Sequence, residues 1–135
     1  MKMGDIIEIV GSYLIMPVMM VVIGYWFSKN PPKQINHFSG YRTAMSKKNM
    51  DTWRFAHLFF GRLWLKYGMV LLIATLLSLW PLVKVTDLPS GYMAHLLLAG
   101  VQGVFVFVPI FLTERELRRQ LDENGKAKRK DPFRL

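Results

Sequence analysis

No cysteine occurs anywhere in the 135 residues. That excludes disulfides, thiolate metal sites and a cysteine nucleophile together. Acid is scarce as well: nine Asp and Glu stand against eighteen Lys and Arg. Charge of either sign is missing from three long stretches, Ile9–Ser28, Tyr67–Val83 and Leu88–Thr113, of 20, 17 and 26 residues. A soluble basic protein of this size spreads its charge along the chain, so the segregation excludes most soluble readings. About 20 apolar residues, at ~1.5 Å each, cross a hydrocarbon core of about 30 Å. A positive mean hydropathy of +0.22 beside a pI near 10.0 therefore reads as an all-α integral membrane protein with three transmembrane helices.

The length fits a single membrane domain, 1–135, with spans at about 9–28, 65–83 and 90–112. Tyr25 and Trp26 mark the interfacial end of the first span, and Pro17 sits inside it, where it removes a backbone donor. Asp5 and Glu8 oppose Lys2, and no small-residue cleavage site follows Phe27, so this segment reads as a retained span. Lys66 and Lys84 bracket the second span and can snorkel to opposite interfaces. Pro89-Ser90-Gly91 reads as a turn before the third span, whose core is Tyr92–Leu112 with Pro109 near its exit. Ala74/Ser78 and Ala99/Gly103 are small-residue pairs too common in apolar spans to carry weight.

Orientation follows from the flanks. Lys29–Lys66 holds eight basic residues against Asp51 alone, and the tail after Thr113 holds eight against five acids. With three spans both regions fall on one side. The positive-inside rule then predicts an outside N-terminus, a cytoplasmic motif loop at 29–64 and a cytoplasmic charged tail at 114–135. In the tail, the pattern predicts a short helix over Glu114–Glu123 and fraying from Asn124 to Leu135.

The loop carries the chemistry. Asn30-Pro31-Pro32 ends the first helix, Ser39-Gly40 reads as a turn, and Asn49 or Asp51 caps a helix that continues into the second span. Helical spacing puts Arg54, His57, Gly61 and Arg62 on one side, and Trp53, Ala56, Phe59, Phe60, Leu63 and Trp64 on the other. Arg42, Arg54 and Arg62 are candidates for anionic lipid headgroups, because the guanidinium fork suits phosphate. No pair among His37, His57 and His95 has the i, i+3 or i+4 spacing of metal ligands, so neither metal nor cofactor is expected. His95 reads as interfacial. No nucleophile–base pair or paired carboxylate stands out, and nucleic-acid binding is rejected because the apolar face around Trp53–Lys66 leads straight into a span.

These loop residues resemble the SdpI family of small bacterial membrane proteins. The resemblance rests on Asn30-Pro31-Pro32-Lys33, Asn36, Gly40-Tyr41-Arg42-Thr43, Lys48-Asn49, Thr52-Trp53, Phe55-Ala56-His57 and Gly61-Arg62. It covers about a quarter of the chain. The family is typified by an immunity protein that protects its producer from a secreted peptide toxin and holds a transcriptional repressor at the membrane. The resemblance thus implies a multi-pass protein of the bacterial plasma membrane, non-enzymatic, in toxin resistance or membrane signalling, with the motif residues as its working surface. A peptide toxin, a cytoplasmic repressor, anionic lipid and a second copy of the chain are the partners to weigh, beside the bilayer itself. The alternative is a membrane enzyme or carrier that binds an anionic lipid or lipid-linked substrate through the Arg/His face.

Overall fold

The computed structural model describes residues 3–38, 40–85 and 89–128. Three helices follow in order: α1 Met3–Lys29, α2 Met50–Val85 and α3 Pro89–Gln120. Each is long and apolar enough to cross a membrane, and no strand occurs among the described residues beyond an isolated bridge between Leu121 and Ala127. α1 packs along α2 and α2 along α3, while α1 and α3 hardly touch.

Of these, α2 is the longest. Its 36 residues, at ~1.5 Å each, exceed a hydrocarbon core of about 30 Å by several turns. The overhang is its N-terminal part, and there the buried core gathers: Tyr41, Met45, Phe55, Ala56, Phe60, Leu117 and Leu121. Along the spans the large apolar side chains point outward instead, as Ile15, Val22, Leu77 and Phe107 do, so the bilayer is their solvent. Lys84 sets its Nζ 4.8 Å over the Trp80 ring at the far end of α2.

The α1–α2 seam is closed by glycine. A Cβ on Gly61 would stand 2.6 Å from the Ser28 nitrogen, one on Gly24 2.9 Å from the Gly61 carbonyl, and one on Gly68 2.8 Å from the Met20 Cβ. Gly103, by contrast, has nothing within 4 Å, so the Ala99/Gly103 pair marks no close helix approach. Within the spans, Gln102 is buried and donates from Nε2 to the Tyr13 carbonyl at 3.0 Å. His95 stacks on Tyr13 with ring centroids 5.4 Å apart and shares a hydrogen bond with its hydroxyl. It ties α3 to α1.

Three expectations need correction. Pro89, Ser90 and Gly91 open α3 rather than form a turn; proline suits a first helical turn because its missing N–H would have had no partner there. The tail has no separate helix over Glu114–Glu123, since α3 runs unbroken through Pro109 to Gln120. The chain then hooks back instead of fraying at Asn124. The Asp122 carboxylate accepts from the Asn124 and Lys126 amides, Lys128 N donates to the Gln120 carbonyl, and Gly125 takes a left-handed φ of 77°. The expectations for Ser39, for Thr86–Leu88 and for Arg129–Leu135 lie outside the described residues.

Candidate functional site

The motif loop is a cap seated on one end of the bundle, and its hallmark residues are mostly the fastenings. Asn30 N donates to the Trp26 carbonyl at 2.7 Å and closes α1. Pro31-Pro32 then leads away, and the Trp53 indole donates to the Pro32 carbonyl at 3.0 Å. Asn36 accepts the Phe38 amide on its side-chain oxygen. Gly40 follows with a φ of 100°, a conformation that side chains disfavour.

Next comes the pin. Tyr41 N donates to His57 Nε2 at 2.9 Å, and His57 Nδ1 lies 2.8 Å from the Trp53 carbonyl. An amide must donate and a carbonyl must accept, so the imidazole is the neutral tautomer with its proton on Nδ1. His57 is wholly buried, between Trp53 at 4.3 Å and Phe27 at 5.1 Å by ring centroids. A Cβ on Gly40 would collide with His57 Nε2, so the glycine is required twice over.

Tyr41 carries the connection to α3. Its hydroxyl donates to the Ile110 carbonyl at 3.0 Å. Burial, and then the nearby Glu114 carboxylate, push the phenol well above its ordinary range, so it stays a donor. Thr43 and Ser46 hold each other reciprocally: Thr43 N donates to Ser46 Oγ at 2.9 Å and Ser46 N to Thr43 Oγ1 at 3.2 Å. Asn49 and Thr52 repeat the device as the capping box of α2, with Thr52 N on Asn49 Oδ1 at 2.9 Å and Asn49 N on Thr52 Oγ1 at 3.1 Å. Asn49, not Asp51, is the cap. Its side-chain amide also donates to the Gly125 carbonyl at 2.9 Å, which docks the tail hook onto the cap.

Sequence spacing grouped His57 with Arg54 and Arg62, and the fold separates them. His57 and Gly61 are buried with Trp53 and Phe60, whereas Arg54 and Arg62 are exposed. There is no shared Arg/His face. Arg54 instead lines a groove of about 410 Å³ with Lys29 and Lys33. Lys48 lines a separate groove beside the hook, with Arg118 and Asp122. Phe55 is core, and Gly61 is a notch in the helix seam.

Arg42 is different. It is exposed and hydrogen-bonds through Nη1 to the His37 carbonyl, which fixes its head at the lip of a cleft of about 540 Å³. Ile23 and Phe27 of α1, Phe60 and Trp64 of α2 and Ile110 of α3 wall that cleft, and Gly40–Thr43 of the cap closes its end. Tyr41, Phe60 and Trp64 form an aromatic ladder along it, with successive centroids 5.0 and 4.7 Å apart. The Trp64 indole N–H is buried with no acceptor among the described residues.

Sequence reasoning missed Ser46, Trp64 as a cleft wall, and the tail hook. Ser46 had a signal: Thr43 and Ser46 stand three apart, as Asn49 and Thr52 do. No cluster of His, Asp or Glu that could hold a metal occurs among the described residues.

A three-helix bundle with lipid-facing apolar sides and a capped end defines a multi-pass membrane protein. The model of the SdpI/YfhL protein family matches residues 33–113, more than half of the chain. The chain belongs to that family. Neither the curated proteins nor the solved structures compared with it contain a match.

Proposed function

We propose that this protein is a non-enzymatic module of the bacterial plasma membrane that serves in resistance to a membrane-active peptide or in signalling across the membrane, with the cap and its cleft as the working part. One observation carries this reading. Asn36, Thr43, Asn49, Thr52, Trp53 and His57 among the hallmark side chains are spent on main-chain partners, His57 on Tyr41 N and the Trp53 carbonyl above all, and the loop they fasten forms a shaped wall over an apolar cleft. That is the economy of a recognition surface, since a general acid or base needs a ring nitrogen open to substrate. The test is to delete the gene and challenge cells with a panel of membrane-active peptides. Susceptibility rises for at least one peptide, and Arg42→Ala reproduces the deletion while the protein still reaches the membrane. Unchanged susceptibility across the panel contradicts the reading.

The cap is proposed to face the cytoplasm, because its segment carries eight basic residues against one acid. With no native cysteine, a single one at Phe38, which is 94% exposed, reports the side directly. It reacts with a membrane-impermeant maleimide only after cells are opened; labelling of intact cells places the loop outside and refutes the orientation. A toxin peptide and a cytoplasmic repressor are partners of the same proposal, by kinship with the family. Carriage or turnover of an anionic lipid-linked substrate is the second reading, now favoured by the cleft at Arg42 and no longer by an Arg/His face.

A further inference from the structure

We infer that the cleft between α1 and α3 holds one anionic phospholipid, with an acyl chain along the aromatic ladder and its phosphate at Arg42. The inference names the ligand of the proposed recognition site and so rests on that reading. Three observations meet here. The cleft lies where the three apolar runs end: Ile23 and Phe27 in the last turns of the first, Ile110 in the last turns of the third, and Trp64 just ahead of the second. That depth is the boundary between headgroups and acyl chains, where an amphiphile meets both of its preferred surroundings. The walls are apolar, and α1 and α3 hardly touch, so the gap suits a hydrocarbon chain.

Polar chemistry sits only at defined points. Arg42 is steadied by the His37 carbonyl and keeps most of its five donors for a phosphate. Trp64 gives the cleft an aromatic wall, while its indole N–H is buried away from the open space and takes no part. Glu114, the carboxylate near Tyr41, is paired with Arg118 at 3.1 Å on the α3 side and does not line the cleft. The groove of Lys29, Lys33 and Arg54 has cations, but its walls are the Asn30–Pro32 turn and Met50 rather than an aromatic ladder.

The test reconstitutes the full chain in nanodiscs of equimolar phosphatidylglycerol and phosphatidylcholine and counts the lipids retained by native mass spectrometry. The wild type keeps one phosphatidylglycerol in preference to phosphatidylcholine. Arg42→Ala reduces that preference about tenfold, the size of one lost charge-assisted contact. Ile110→Trp, which fills the cleft while leaving Arg42 in place, abolishes retention, and Arg54→Ala leaves it unchanged. Equal retention of both lipids, equal loss with Arg54→Ala, displacement by excess inorganic phosphate, or a co-purifying peptide in place of lipid would each overturn the inference. Resistance without retained phosphatidylglycerol defeats the lipid inference and leaves the resistance reading standing. Retained phosphatidylglycerol with unchanged peptide susceptibility supports the lipid site and defeats the resistance reading alone.

Discussion

Gly40→Ala destabilises the folded protein by about 3 kcal/mol or more, because a left-handed φ strains any β-carbon and a lost hydrogen bond follows. The φ is 100°, and the new methyl runs into His57 Nε2. The ring must swing away, which strands the Tyr41 amide that it now accepts at 2.9 Å. His57→Ala costs a similar amount, roughly 3–5 kcal/mol, through a buried cavity and the same stranded amide. Tyr41 and Trp53 would both lose their partner on that ring.

The two changes are not independent. Removing the His57 imidazole vacates the space that a methyl on Gly40 needs, and the Tyr41 amide can be stranded only once. The double variant is therefore less destabilised than the sum of the singles, by about 1–3 kcal/mol, as expected for residues in contact. Equilibrium denaturation in mixed micelles measures the cycle. Additivity within about 0.5 kcal/mol, the behaviour of distant sites, would mean that Gly40 and His57 do not meet.

Gly61→Leu is the second large effect. Overpacking a close contact costs about 1–3 kcal/mol, and more where backbone has to move. At Gly61 the obstacle is backbone: a Cβ alone would approach the Ser28 nitrogen to 2.6 Å and the Phe27 carbonyl carbon to 2.8 Å. A leucine must push α1 off α2 at the level of Phe27, which is also a wall of the cleft. The thermal midpoint in detergent falls, and retention of phosphatidylglycerol falls with it. Gly103→Leu is the matched control, since that glycine has nothing within 4 Å. Equal destabilisation by the two leucines would contradict the seam and point to a second copy against Gly103.

How much of this is written in the chain can be judged residue by residue. The spans were legible because charge-free runs report lipid directly, and the α2 start was legible because Asn49 and Asp51 are both capping residue types, between which the bond from Thr52 N to Asn49 Oδ1 decides. The role of His57 was not. Helical spacing could place it beside Arg54, but its partner is the amide of Tyr41 in a preceding loop, and only the path of that loop decides which edge of the helix is covered. The glycine seam was hidden for a related reason. Gly24, Gly61 and Gly68 match only once the crossing of α1 and α2 is known, and the more familiar small-residue pair at Ala99/Gly103 has no helix against its glycine. The tail hook depends on Gly125 reaching Asn49, a contact that charge and hydropathy do not encode. Of the three suspected arginines only Arg42 belongs to the cleft, because the loop that presents it is anchored by residues on both sides of it.

The central claim is that the hallmark loop is a fixed cap pinned through His57, and hydrogen exchange at the Tyr41 amide tests it most directly. In nanodisc-reconstituted wild type this amide, buried and bonded to His57 Nε2 at 2.9 Å, exchanges slowly, and in His57→Ala it exchanges at the rate of an open loop. Fast exchange in both proteins would show that the loop is not fastened to the bundle.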